Sequence, residues 1–273
     1  MNDFSYDEYI QLIETLSSVI PVLDFAEITP QTDSFFIIRH DVEFSIERAY
    51  ALAKIEHDLL DIKSSYFFQV RNYAYNPLAY HNIELIQKIH QMGHEIGLHV
   101  NAGGVIDLNQ LTGLIRKDVA ILETVLELPV DRFSFHRPSQ SMLAANIKLE
   151  GLLNAYDPLF FNFHPDRRLG LGPTPTPNLH NAQKIKHPTM SSVNVHYFSD
   201  SEHQWKYGHP LLALEQNAKK IQLLVHPYSW SKQGLNNYQN FKGLVQEKHF
   251  QLMQSMQTEC RNFPNELISH EKI

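Results

Sequence analysis

Phe35-Phe-Ile-Ile-Arg-His-Asp-Val-Glu43 is the stretch around which this chain is organised. Its first four residues favour a buried strand, which leads directly into titratable side chains. Side chains alternate along a strand, so Arg39, Asp41 and Glu43 share one face, and His40 points to the other. Two carboxylates on one face cost free energy unless a cation, a proton or a paired base is present. They either belong to a ligand site or only cap the following helix.

Composition restricts the classes of partner and cofactor. The chain has 273 residues, of which 43% are hydrophobic, enough for a sizeable core. The net charge of −7, without a basic cluster interleaved with aromatic residues, argues against a nucleic-acid partner. The single cysteine, Cys260, excludes an internal disulfide and a cysteine-built zinc site. With 16 histidines, any metal site is expected to combine histidine and carboxylate ligands, which suits Zn²⁺.

The N-terminus is acidic and lacks the positive and apolar regions of a signal peptide. No apolar run is long enough to span a bilayer. We therefore expect a cytoplasmic protein without a membrane span. The sequence carries no feature that specifies an oligomeric state.

Strand-like and helix-like segments alternate along the chain. Strands are predicted over 35–43, 64–70, 94–100, 132–136, 155–161, 193–198 and 220–226, and helices over 6–20, 47–60, 81–92, 108–128, 141–153 and 240–261. The alternation predicts right-handed βαβ units in a parallel sheet, and seven strands favour a barrel over an open sheet.

The chain is expected to form one domain over residues 1–273, because no repeat or linker divides it. Residues 1–30 are predicted to place an N-terminal helix on the barrel. The proline-containing stretch 164–192 has no period and is interpreted as a long loop that could act as a lid.

Most of the predicted strands end in a histidine or a carboxylate. These residues are Asp41, Glu43, His99, His136, Asp200 and His226. A single histidine at a strand end is more often structural than a ligand. In a barrel, however, the carboxyl ends of the strands meet at one rim, where such a set can bind a metal and activate water.

Six segments in order along the chain form a specific set of motifs. They are 39–43, 65–68, 93–99, 133–138, 197–205 and 223–230. Together they resemble the polysaccharide deacetylase family, also called the NodB-homology or carbohydrate esterase 4 family, in its surface-polysaccharide-associated branch. The resemblance covers roughly residues 35–230. It implies a distorted TIM-like (β/α)7 barrel, a divalent metal, usually Zn²⁺, and removal of N- or O-acetyl groups from sugars.

The resemblance also implies roles for single residues. Asp41 resembles the catalytic base, His99 the first metal-binding histidine, Arg137 the arginine that orients the base, Asp200 with Trp205 the fourth motif, and His226 the general acid. The catalytic set implied in this way is Asp41, Arg137, Asp200 and His226.

The sequence departs from the family pattern in its metal motifs. Val42 separates the two carboxylates, so either Asp41 or Glu43 could be the base and the other the ligand. Gly103 occupies the position of the family's second histidine. The candidate replacement is His136, with His40 behind it, which gives Asp41, Glu43, His99 and His136 as predicted metal ligands. His94 lies on the opposite strand face from His99 and is interpreted as structural.

These features favour a metal-dependent hydrolase that removes an acyl group from a carbohydrate. The alternatives are a metal-independent amidohydrolase on the same barrel and a non-catalytic carbohydrate-binding protein. The absence of a Gly-x-Ser-x-Gly elbow argues against a covalent acyl-enzyme. Several aromatic side chains either line a sugar site or belong to the core: Tyr75, Tyr156, Trp205 and Trp230.

Overall fold

Seven parallel strands form one curled sheet in the order β5-β4-β3-β2-β1-β7-β6. The computed structural model describes residues 4–105, 107–162, 195–264 and 266–269. The strands are β1 Phe35–Val42, β2 Ser65–Phe68, β3 Glu95–Val100, β4 Arg132–Phe135, β5 Leu153–Asn154, β6 His196–Ser199 and β7 Lys220–Val225. The predicted α/β fold class, a distorted TIM-like (β/α)7 barrel, is confirmed.

Eight described helices precede, connect or follow these strands. They are α1 Tyr6–Ser17, α2 Ile46–Ile55, α3 Tyr80–Gln91, α4 Leu108–Leu126, α5 Gln140–Ala144, α6 Leu212–Glu215, α7 Asn237–Glu259 and α8 Glu266–Ser269. A π-helical segment, Glu56–Leu60, follows α2 directly. None of the described helices is both long and apolar enough to cross a membrane.

Strand β1 lies between β2 and β7, and all eight of its residues are buried. Phe36 and Ile38 pack outward in a cluster that contains the buried face of α1, as the sequence predicts for the N-terminal helix. Phe35 and Ile37 pack on the other side with Phe67 of β2. The same alternation carries Arg39 and Asp41 to the inner side of the sheet.

The turn after β1 shows that its carboxylates do not cap α2. The hydroxyl of Ser45 accepts from the backbone N–H of Arg48 at 3.2 Å and is the N-cap of this helix. Asp41 and Glu43 therefore have other partners.

Two predicted elements differ from the structure. The predicted strand 155–161 is irregular, and β5 is limited to Leu153–Asn154. Residues 155–160 are instead fixed by Gln222 of β7, whose Nε2 donates to the carbonyls of Ala155 at 3.0 Å and Phe160 at 2.9 Å. The aromatic side chains of this segment thus fill the core without joining the ladder.

The predicted helix 141–153 is also wrong for most of its length. Helix α5 ends at Ala144, and Asn146 and Gly151 adopt positive φ values of 41° and 77°, which a helix cannot contain. The predicted loop 164–192 lies outside the described residues. The assignment of residues 1–273 to one domain stays a prediction.

Candidate active site

Three side chains meet at the carboxyl ends of β1, β3 and β4. Glu43 follows β1, His99 lies in β3, and His136 follows β4. One ligand atom from each lies within 4.8 Å of the others. Oε1 of Glu43 is 3.0 Å from Nδ1 of His136 and 3.8 Å from Nε2 of His99. The ends of parallel strands bring together residues that are almost a hundred positions apart.

One imidazole nitrogen of each histidine is buried beside the carboxylate of Glu43 and forms no well-oriented hydrogen bond. These atoms are Nε2 of His99 and Nδ1 of His136. Such atoms are rare in proteins because burial of a polar atom without a hydrogen bond costs free energy. Two histidine nitrogens and one carboxylate oxygen are the donor set of a catalytic zinc site that retains an open position. The residues present therefore fit a divalent metal, and the group contains Glu43 but not Asp41.

Asp41 is held by Arg39, its neighbour on the same strand face. Nε and Nη2 of Arg39 donate to the two carboxylate oxygens at 3.0 and 2.7 Å. Arg39 is itself fixed by the hydroxyl of Tyr156 at 2.8 Å and by Gln222 at 3.2 Å. Burial would raise the pKa of Asp41, but Arg39 and His99 outweigh it and lower the pKa to about 2. Asp41 is therefore ionised at neutral pH.

Ser134 of β4 connects Asp41 to His99. Its hydroxyl donates to Oδ1 of Asp41 at 3.1 Å and lies 2.8 Å from Nδ1 of His99. Because the single hydroxyl proton goes to the ionised carboxylate, Ser134 must accept from Nδ1–H of His99. This tautomer leaves the lone pair of His99 on Nε2, which faces Glu43. Burial lowers the pKa of His99, which favours this neutral form.

His226 follows β7 and forms the opposite wall of the site. Its Nδ1 is 2.6 Å from Oδ1 of Asp200, which also accepts from the backbone N–H of His226. Burial would lower the pKa of His226, but Asp200 outweighs it and raises the pKa to about 9. Its Nε2 lies 3.9 Å from Oε1 of Glu43. The site therefore combines an ionised carboxylate with a protonated imidazole.

Glu43 is strongly acidic in this environment. Burial would raise its pKa, but the adjacent His136 and His99 outweigh burial and lower the pKa well below the ordinary value. A carboxylate that stays ionised is suited to hold a cation.

The structure does not bring Arg137 to Asp41, contrary to the role that the family resemblance implies. Arg137 is exposed, and Arg39 makes the contacts with Asp41 in its place. In the segment that resembles the fourth motif, Asp200 accepts from the side chain of Trp230, whose Nε1 lies 2.8 Å from Oδ2. The contact between Arg39 and Asp41 could have been predicted, because residues two positions apart on a strand share a face. No motif in the sequence points to a role for Ser134.

His40 and His94 lie on the outer side of the sheet, away from the site. Nε2 of His40 is 2.8 Å from Oε1 of Glu56, and His94 contacts the backbone of Ala53 at 3.1 Å. His40 is therefore not a replacement ligand, and His94 has the structural position that its strand face predicts. Tyr75, whose hydroxyl donates to the carbonyl of Val42 at 2.7 Å, is also buried.

Known proteins resemble this chain in structure more than in sequence. No protein-family model and no curated protein matches the sequence. Among solved structures, the chain is similar to a mutant CE4 family pseudoenzyme with restored enzymatic activity, with 11% identity and a TM-score of 0.41 over 82% of this chain. It spans 65% of that protein.

Two further solved structures show a comparable likeness. A peptidoglycan deacetylase of Bdellovibrio bacteriovorus has 13% identity and a TM-score of 0.42, covering 80% of this chain and 51% of its own. The Xyl-CE4 domain of a multidomain xylanase from the hindgut metagenome of Trinervitermes trinervoides has 11% identity and a TM-score of 0.37, covering 81% of this chain and 85% of its own. The chain is thus similar in outline to CE4 proteins, at identities and TM-scores that leave its chemistry to its own residues.

Proposed function

We propose that this protein is a metal-dependent hydrolase that removes an acyl group, in the simplest case N-acetyl, from a sugar in surface-polysaccharide metabolism. The observation that carries the proposal is the meeting of Glu43, His99 and His136, with two buried nitrogens that form no hydrogen bond, beside an ionised Asp41 and a protonated His226. The motif resemblance described for the sequence supplies the carbohydrate substrate class.

Glu43, His99 and His136 would hold the metal, for which Zn²⁺ suits the donor set. When bound, such an ion supplies a Lewis acid and lowers the pKa of a coordinated water. Ser134 keeps the Nε2 lone pair of His99 directed at the site.

The acid and base roles follow from the two charge states. Asp41 is ionised and is positioned by Arg39, so it can receive the proton of the attacking water. His226 is protonated and is held by Asp200 through Nδ1, so its Nε2 proton is available to the leaving amine. No covalent acyl-enzyme is required.

The test is the release of acetate from chitotetraose and from UDP-N-acetylglucosamine by protein loaded with Zn²⁺. Activity is expected to disappear in chelator and to return with Zn²⁺. Asp41→Asn and His226→Ala should each lower kcat by about 10²–10⁴-fold. Asp58→Asn, an exposed carboxylate beyond α2, is the matched control and should leave kcat unchanged.

Two results would contradict the proposal. Activity that persists in chelator with no bound ion would assign the barrel to metal-independent amidohydrolases. Metal binding without acyl release from any N- or O-acetylated sugar would instead indicate a carbohydrate-binding protein.

A further inference from the structure

A cavity of about 640 Å³ adjoins the candidate active site at the carboxyl ends of β3 and β4. Its volume lies within the range of small-molecule binding sites. The loops that follow the two strands form its walls, and His136, which approaches Glu43, is one of the lining residues. A sugar that occupies this cavity would therefore extend directly from the reaction centre.

Glycines open one wall of this cavity. Gly103 and Gly104 have positive φ values of 57° and 87°, and a Cβ built on either meets no atom within 4 Å. Gly103 stands where the motif resemblance expects a second metal-binding histidine. The missing side chain leaves open space beside His136, where a ligand can approach the backbone closely.

Arg137 is the one charged side chain among the described residues that line this cavity, apart from the titratable His136. The other lining residues are Asn101, Ala102, Gly103, Gly104, Val105, Leu108, Ser139, Ser141 and Met142. Arg137 is exposed, and within the described chain it forms no ion pair. By contrast, Arg39 and Arg71, at the same end of the sheet, each form an ion pair, with Asp41 and Asp118 respectively.

The backbone directs Arg137 to this position. Its φ of 48° lies in the left-handed region, which costs free energy for a residue with a side chain and is concentrated at functional sites. Ser139, two residues further on, caps α5 through the backbone N–H of Met142 at 3.2 Å. The turn between His136 and α5 therefore places Arg137 in the wall of the cavity that His136 also lines.

We infer that the substrate carries an oxyanion group, a carboxylate or a phosphate, on or next to the sugar that is deacylated, and that Arg137 binds it in this cavity. The inference rests on the proposed function for the identity of the ligand as an acylated sugar. A guanidinium presents two parallel N–H donors that match the oxygens of a carboxylate or phosphate. No acidic side chain among the described lining residues competes for it.

Equilibrium binding to the Zn²⁺-loaded protein tests this inference without requiring turnover. The probes are methyl N-acetylglucosaminide, which is neutral, N-acetylglucosaminuronic acid, which carries a carboxylate, and UDP-N-acetylglucosamine, which carries a diphosphate. The wild type should bind at least one anionic probe about tenfold or more tightly than the neutral one, with an affinity that falls as salt rises. Which anionic probe binds more tightly distinguishes a sugar acid from a nucleotide sugar.

Arg137→Gln should remove this preference and leave the neutral probe unaffected, while Arg137→Lys should retain part of it. Arg116→Gln, an exposed arginine on α4 outside the cavity, is the matched control. The inference is overturned if the wild type binds no anionic probe more tightly than the neutral one, or if Arg137→Gln weakens all probes equally. If an anionic probe binds in a way that depends on Arg137 but the protein releases no acetate, the proposed function is contradicted and the anion-binding role of Arg137 is retained.

Discussion

At the scale of single residues, the hydroxyl of Ser134 determines which nitrogen of His99 faces the candidate metal site. It donates to Asp41 and accepts from Nδ1 of His99, so the residue proposed as base and the residue proposed as ligand share one partner. Outer partners of this kind orient metal-binding histidines and fix their tautomers. Ser134 is therefore a positioning residue for the proposed site.

Replacing Ser134 with alanine should lower the affinity for Zn²⁺ by about 10–100-fold, because His99 loses the partner that fixes its tautomer. The affinity is measured by competition with a chromophoric chelator. Ser65→Ala is the control, since Ser65 is an equally buried strand serine that contacts Arg132 on β4 and not the site. Equal Zn²⁺ affinities for the Ser134→Ala variant and the wild type would contradict the positioning role of Ser134.

At the scale of elements, Gly97 shows how closely the inner strands pack. A Cβ at this position of β3 would lie 2.5 Å from the ring of Phe67 and 2.8 Å from Cγ of Arg132. The glycine is therefore required by its neighbours on β2 and β4, although its backbone is that of an ordinary strand.

The variant Gly97→Ala should reduce the free energy of unfolding by about 1–3 kcal/mol, the usual effect of overpacking a core. Gly113→Ala is the matched control, because Gly113 lies in α4 with no atom within 4 Å of an added Cβ. That variant should be more stable by up to about 1 kcal/mol, from helix propensity. Urea denaturation measures both, and a neutral Gly97→Ala would contradict the packing described.

Glu56 connects elements on the outer side of the sheet. Its carboxylate contacts His40 of β1 at 2.8 Å and accepts from Ser64 and Tyr66 at 2.7 Å, and Tyr9 of α1 also donates to it. Burial would raise the pKa of Glu56, but His40 and the other partners outweigh it and lower the pKa from 4.5 to about 2. The ionised carboxylate therefore stabilises the junction of α1, α2, β1 and β2.

A depressed pKa gives stability that is present above pH 4.5 and is lost as the pH falls toward 2. Glu56→Gln should therefore be less stable than the wild type by about 3 kcal/mol at neutral pH, and the difference should shrink over this acidic range. Denaturant unfolding at a series of pH values measures it. Glu14→Gln, an exposed carboxylate of α1, should follow the wild type, and a constant deficit for Glu56→Gln at all pH values would refute the linkage.

At the scale of the whole molecule, a bound ion would join the ends of three strands. The proposed ligands come from β1, β3 and β4, so an ion binds the folded chain and not the unfolded one. Zn²⁺ at about 100 times its Kd should stabilise the protein by about 2.7 kcal/mol and raise Tm accordingly.

Differential scanning calorimetry with and without Zn²⁺ checks this stabilisation. Glu43→Gln should abolish the increase in Tm, because it removes the carboxylate that both histidines approach. Glu95→Gln, at the start of β3, is the control and should retain the increase. An equal increase for Glu43→Gln would place the ion elsewhere.

The sequence determined the alternation of strands and helices, and therefore the parallel barrel, because hydrophobic period and strand composition are local properties. It also identified the strand ends that carry Glu43, His99, His136, Asp200 and His226, since the carboxyl ends of parallel strands share one rim. It was wrong about the segment 155–161 and most of 141–153. There, aromatic core packing and positive φ values outweighed a local pattern.

Only the tertiary structure decided how the roles are divided within that rim. Arg39 rather than Arg137 holds Asp41, Trp230 donates to Asp200, and Ser134 joins Asp41 to His99. Hydrogen bonds form over about 3 Å and depend on strand register and side-chain direction, which a linear motif does not encode. The sequence therefore specified which chemical groups reach the site, and the register of the strands decided which of them touch.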